Sequence, residues 1–362
     1  MDHSLALSAN ARQRETSPTR LDFAAACELF DNPGPRNLLQ WGEAADRERQ
    51  RRHALRATFV NNLQINPCNV CVRDCKFCGY AAFPDAPGAY SLDEAEIMAT
   101  VEQAEPTEVH IVGGLNHIWT YPRSLNLIRG LRERFPDLYI KCFTAIEIHW
   151  FASVTRQPID EILISLRQAG MNSLPGGGAE LFSEAIRQRY FRHKIGADDW
   201  LAVHETAHGL GINSNATMLY GLGESWADRI HHLLRLRDLQ DRTHGFKAFI
   251  PLALQPGKIG KHDRSPMENL AVIAMARLLL DNFDHIKAYW PMIGVETAAA
   301  ALSFGADDLD GTIGLEKIAH ASGASTPRQI AREEMQRLIR LAGFQPVERD
   351  GAFQAMPVVV SA

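Results

Sequence analysis

Short apolar runs alternate with amphipathic stretches along most of this 362-residue chain. Residues 57–65, 108–112, 138–145, 172–175, 212–221, 245–253 and 285–290 read as strands, and 305–312 falls where an eighth short strand belongs. Between them, 91–104, 122–135, 158–169, 180–190, 198–210, 225–240 and 265–283 read as helices. Ser91 with Glu94, and Ser265 with Glu268, have capping-box spacing; Pro266 suits a first helical turn, and a last helix is expected to start at Thr326–Pro327. Parallel strands need a crossover between neighbours, and helices supply it. About eight strand–helix repeats with no long linker therefore predict one (βα)8-type TIM barrel. The expected organisation is a disordered polar N-terminus over 1–20, a helical N-terminal extension over 21–55, the barrel over 56–345 and a C-terminal tail over 346–362.

Composition narrows the function classes. Hydrophobic residues make up 46% and charged residues 22%, which suits a soluble globular chain with a large core. A net charge of -5 offers no global attraction to nucleic acid or an anionic membrane. The most apolar stretch, 270–280, is interrupted by Arg277 and is too short to span a bilayer, so no membrane insertion is expected. The N-terminus carries charge from Asp2 onward and shows no secretory pattern, so a reducing cytoplasm is the expected setting. There, clustered cysteines indicate metal or redox chemistry rather than disulfides.

Such a cluster follows the first expected strand. In "NPCNVCVRDCKFCGYAAF" (66–83), Cys68, Cys71, Cys75 and Cys78 lie within eleven residues. Two zinc-binding C-x2-C pairs are normally about 15–20 residues apart, and only Val72, Arg73 and Asp74 separate the pairs here. The bacterial ferredoxin run orders its intervals differently and ends in proline, whereas Gly79 follows the last cysteine here. The last three cysteines form Cys71-x3-Cys75-x2-Cys78, with Phe77 just before the final one.

This C-x3-C-x-F-C run resembles the signature of the radical S-adenosylmethionine (SAM) enzymes. The resemblance implies a [4Fe-4S] cluster held by Cys71, Cys75 and Cys78, with the fourth iron left for the amino and carboxylate groups of SAM. A fourth thiolate would block that iron, so Cys68 is expected to be a buried bystander. Cys27 and Cys142 stand alone in apolar contexts, as small hydrophobes do.

The segments "EVHIVGGL", "IKCFTAIEI", "SLPGGGAELF", "NATMLYG", "HIKAYW" and "FGADDLDGT" resemble the aminofutalosine synthases of the futalosine route to menaquinone. Membership implies addition of the 5'-deoxyadenosyl radical to 3-[(1-carboxyvinyl)oxy]benzoate, giving 6-amino-6-deoxyfutalosine, methionine and CO2 or bicarbonate. It also implies a reducing electron donor such as flavodoxin or ferredoxin. Gly113 and Gly114 then hold SAM's amino end, and Glu180, after three glycines, accepts from SAM or substrate. Gly221 lies near the adenine with Glu224 holding its loop, and Tyr80 lines the adenine pocket. Lys287 and Tyr289 are candidates for the substrate carboxylates. The chain departs from the family at Leu222 and Gln255, where histidines are usual. After the glycines it has Asn116–His117–Ile118 in place of His-Pro, which makes His117 a candidate substitute. The alternative is the sibling radical SAM cyclase that makes cyclic dehypoxanthine futalosine, of which Gln255 is more typical. A non-catalytic iron–sulfur carrier is a third class, disfavoured because a carrier normally saturates every iron in a small fold.

Overall fold

The computed structural model describes residues 20–31, 33–259 and 265–357. All but Arg20 of the N-terminal segment expected to be disordered lies outside those residues. The strands are β1 (Arg56–Val60), β2 (Asn62–Ile65), β3 (Glu108–Ile111), β4 (Tyr139–Cys142), β5 (Ser173–Leu174), β6 (Asn213–Tyr220), β7 (Phe246–Ala253), β8 (His285–Ile286), β9 (Asp308–Gly311) and β10 (Gln345–Arg349). β2 to β8 form one parallel seven-stranded sheet in sequence order, with at least one helix after each strand from β2 to β8.

The first expected strand is one chain path broken at Asn61. Its β1 half pairs with β9 and β10, and its β2 half pairs with β3. The round closes loosely. One bridge, Lys287 to Asp308, joins the β8 and β9 sides, and another, Leu63 to Gly314, ties the chain after β9 to β2. The eighth strand is thus present but carries no full ladder to β8. β8 is only two residues long before the chain turns into helix Trp290–Ile293.

Helices Phe23–Leu29 and Pro35–His53 occupy the expected N-terminal extension. Arg49, fully buried, donates to the carbonyls of Ala54, Arg56 and Ala306, and so seals the end of the barrel where the strands begin. The expected C-terminal tail opens inside β10, which pairs with β1.

Two helix starts and one capping box differ from expectation. Helix Glu94–Ala104 is capped by Asp93, whose box partner is Glu96. Ser91 instead forms a bridge with Cys68, and its Oγ accepts from Trp119 Nε1 at 3.1 Å. Ser265 caps helix Pro266–Leu279, but Glu268 pairs with Arg229 at 2.5 Å rather than closing a box. The last helix begins at Arg332 with Ala331 as its N-cap, and Thr326 Oγ1 donates to the Pro291 carbonyl at 2.9 Å.

Candidate active site

After β2 the chain leaves the sheet as the cysteine loop, which backbone bonds pin on several sides. Cys71 N donates to Ala82 O at 3.0 Å, Val72 N to Leu115 O at 2.7 Å and Lys76 N to Tyr190 O at 2.9 Å. Cys71, Cys75 and Cys78 are free, half-buried and line one cavity of about 290 Å³ that runs into the barrel. Cys68 is buried in the apolar core and does not line that cavity. Three soft thiols outside any disulfide on one cavity wall, with the fourth buried in the core, fit a cluster with one iron left open. Burial pushes the Cys75 thiol up to about 11, against the pull of Lys194. A thiol held neutral by burial is inert until a metal or cation favours its thiolate.

Gly113 and Gly114 follow β3. Gly113 N donates to Glu147 Oε1 at 3.1 Å, and Gly114 N to Cys68 O at 2.9 Å. A Cβ on Gly114 would lie 2.1 Å from Val70 O and 3.0 Å from Cys71 Cβ. That glycine is therefore required by the cysteine loop itself. Gly176 meets a similar demand, since its Cβ would lie 2.6 Å from Asn215 O on β6. Glu180, buried with φ of 48°, pairs with Lys194. Burial opposes the charge on Lys194, but the paired Glu180 carboxylate outweighs it and holds the ammonium charged. Glu147 is buried beneath Gly113, and burial lifts its carboxyl to about 7 despite bonds from Thr144 and Gly113.

Tyr80 lines the cavity with its hydroxyl 2.8 Å from that of Tyr90. Gly221 N donates to Glu224 Oε1 at 2.6 Å, and Arg229 Nε donates to the same oxygen at 2.7 Å. This pair shapes the loop after β6 and stands outside the cavity lining. Gln255 lines the cavity and donates to the carbonyls of Ala253 and Met292. Leu222 is buried, and His117 packs on Trp150 with ring centroids 5.1 Å apart, away from the cavity.

The cavity changes character with depth. Leu219, Ile250, Leu252 and Leu254 of the β6–β7 side give it an apolar wall. The other strands around the cavity contribute charged residues. Lys141 pairs with Glu108 at 2.8 Å and Lys287 with Asp310 at 2.5 Å, all four being buried. Burial disfavours the Glu108 charge, but Lys141, Lys287 and Arg349 outweigh it and bring the carboxyl down to about 2. Gln64 Nε2 donates to Tyr289 OH at 3.0 Å.

Lys194, Glu147, His110 and Lys141 are cavity residues that the sequence reading did not select. Glu147 had a signal: Thr144 and Glu147 form a capping box at the end of β4. His110 and Lys141 had only the alternation of short strands, in which every second side chain faces inward. Lys194 lies beyond helix Glu184–Tyr190 and carried no local mark.

Comparison with known proteins agrees with this geometry. Residues 65–236 match the family described as Radical SAM superfamily, and 243–361 the one described as CofH/MqnC C-terminal region. The aminodeoxyfutalosine synthase of Thermus thermophilus is 39% identical over 94% of this chain and 93% of its own length. That of Streptomyces coelicolor is 40% identical over 95% and 92%, respectively. Among solved structures, methylornithine synthase superposes with a TM-score of 0.73 at 18% identity, covering 91% of this chain and 95% of its own, a likeness of fold alone. With its cysteine trio on the barrel cavity and this similarity along nearly its whole length, the chain belongs to the aminodeoxyfutalosine synthase family of radical SAM enzymes.

Proposed function

We propose that this chain joins the adenosyl group of SAM to 3-[(1-carboxyvinyl)oxy]benzoate, yielding 6-amino-6-deoxyfutalosine, methionine and CO2 or bicarbonate for menaquinone synthesis. The observation that carries the reading is the wall of Cys71, Cys75 and Cys78 opening on one cavity while Cys68 is sealed in the core. Cys71, Cys75 and Cys78 would hold a [4Fe-4S] cluster, which when bound and reduced would supply the electron for reductive cleavage of SAM.

The chain's own residues bind and orient. Lys194 is the cation beside Cys75 and Cys78, suited to the carboxylate of SAM's methionine portion. Gly113, Gly114 and Glu180 frame the amino end beside it, with Glu180 keeping Lys194 charged. Tyr80 and the apolar β6–β7 wall flank the nucleoside, and Gly221 with Glu224 fixes the loop above it. The same apolar wall excludes water from the radical carbon and the aryl ring. Lys76, Lys258, Lys317 and Arg328 line an outer groove on the far side of the cysteine loop, and their charge suits an acidic donor such as flavodoxin or ferredoxin. No helix among the described residues is long and apolar enough to cross a membrane. A cytoplasmic setting belongs to the same proposal, since free thiols and a strong reductant need a reducing compartment.

Mass spectrometry of anaerobic reactions tests the reading. The expected product carries the adenosyl group of isotope-labelled SAM. Release of all the label as 5'-deoxyadenosine, with no adduct, would overturn the reading in favour of the sibling cyclase chemistry.

A further inference from the structure

The charged floor of the cavity contains one imidazole with nothing to do. His110, on β3, lines the cavity, and its Nε2 is buried without a hydrogen-bond partner among the described residues. Buried polar atoms are nearly always satisfied, and each one left open calls for an explanation such as a functional role. The neighbouring cations are already committed, Lys141 to Glu108 and Lys287 to Asp310. Glu108 also leaves Oε2 unpartnered, but a carboxylate repels a carboxylate ligand. His110 is therefore an open hydrogen-bonding group of the floor among the described residues.

Its depth is set by the strand. His110 stands three positions before Gly113 on β3, roughly 10 Å lower at the usual rise per residue. The substrate's enol carbon must meet the 5'-carbon at the level of the cysteine loop and Gly113. The aryl ring then extends down the apolar wall, and its carboxylate arrives at the floor. We propose that His110 binds that aromatic carboxylate through a ring N–H, and so sets the depth at which the enol carbon stops beneath the SAM site. The inference rests on the function proposed above. Burial, with help from Lys141 and Lys287 and against Glu108 and Asp310, lowers the free imidazole to about 4. The ring therefore enters the complex neutral, with one N–H to give.

The test compares wild type, His110→Ala and His110→Gln as cluster-loaded enzymes. Iron content and SAM binding should be unchanged in all three. The KM for the benzoate should rise roughly tenfold to hundredfold in His110→Ala, and more 5'-deoxyadenosine should escape without forming adduct. His110→Gln keeps an N–H donor and should recover part of the loss. A substrate analogue without the ring carboxylate should be a poor substrate for wild type and equally poor for His110→Ala. Adduct formation by wild type with an unchanged KM in His110→Ala overturns this proposal alone. So does an analogue whose missing carboxylate costs His110→Ala as much as it costs wild type. Absence of any adduct from wild type overturns the functional reading, and this proposal with it.

Discussion

Two adjacent glycines show how much one residue's surroundings decide. Gly113 and Gly114 read alike in the sequence, as a pair freeing the backbone near a ligand. In the fold their tasks differ. A Cβ on Gly113 would sit 3.1 Å from Cys68 O, a contact relieved by a shift of a few tenths of an ångström. A Cβ on Gly114 would sit 2.1 Å from Val70 O, which cannot move without displacing Cys71. Gly114→Ala should therefore cost about 1–3 kcal/mol of loop stability and sharply reduce iron and sulfide content after anaerobic reconstitution. Gly113→Ala should load nearly as wild type. Equal cluster content in the two variants would show that the Val70–Gly114 approach does not hold the loop. The cysteines divide in the same way. All four share one short segment, and only their places relative to the cavity separate Cys71, Cys75 and Cys78 from Cys68.

At the scale of elements, helix Trp226–Thr243 is locked to β6 through His232. Phe182 N donates to its Nδ1 at 3.1 Å, and its Nε2 lies 2.9 Å from Thr217 O. The ring must be the neutral tautomer with the proton on Nε2, because a second proton would break the Phe182 bond. It is fully buried and stacked on Phe182 at 4.0 Å. Burial lowers its pKa from the usual 6.5 to about 3. The sign follows from proton counts. Between those two values the unfolded chain binds the proton and the folded chain does not, so stability falls as pH falls below about 6.5. From pH 7.5 to 5.0 this histidine should account for about 2 kcal/mol of lost stability. Denaturant unfolding at both pH values should show a smaller loss in His232→Gln, which cannot titrate. An equal loss in both proteins would remove His232 from the account.

For the whole molecule, β10 braces β9, the strand that meets β8 where the barrel closes. Arg349 on β10 is fully buried and grips Asp308 of β9 through two bonds, Nε to Oδ2 at 2.5 Å and NH2 to Oδ1 at 3.1 Å. Phe353 covers the guanidinium with its ring centroid 4.0 Å away, and Thr58 of β1 donates to the same carboxylate. The seam between β8 and β9 has one bridge in place of a ladder, with backbone bonds from Ala288 N to Asp308 O and from Asp307 N to Ile286 O, and the Lys287–Asp310 pair crosses it as well. Arg349→Met would leave Asp308 buried and short of a partner, at a cost of about 3–5 kcal/mol. A thermal melt should move down by roughly 5–15 °C. A melt within a degree or two of wild type would show that Lys287, 3.8 Å from Asp308, suffices together with Thr58 and Asp310 N.

The sequence by itself determined the alternation of strands and helices, and hence the barrel. It also marked the cluster motif, because both are written in spacings shorter than one element. Caps were less legible. Ser91 and Asp93 both match the box pattern, and only the Cys68–Ser91 bridge and the Trp119 contact decide between them. The tertiary structure alone decided what the barrel interior holds. His110 and Lys141 come from distant parts of the chain and meet when parallel strands bring their inward faces to one cavity, which Lys194 reaches from the loop after helix Glu184–Tyr190. A pattern of period two says that a side chain faces inward, but not at what height or opposite which charge. Those are set by register across strands, and register belongs to the sheet as a whole.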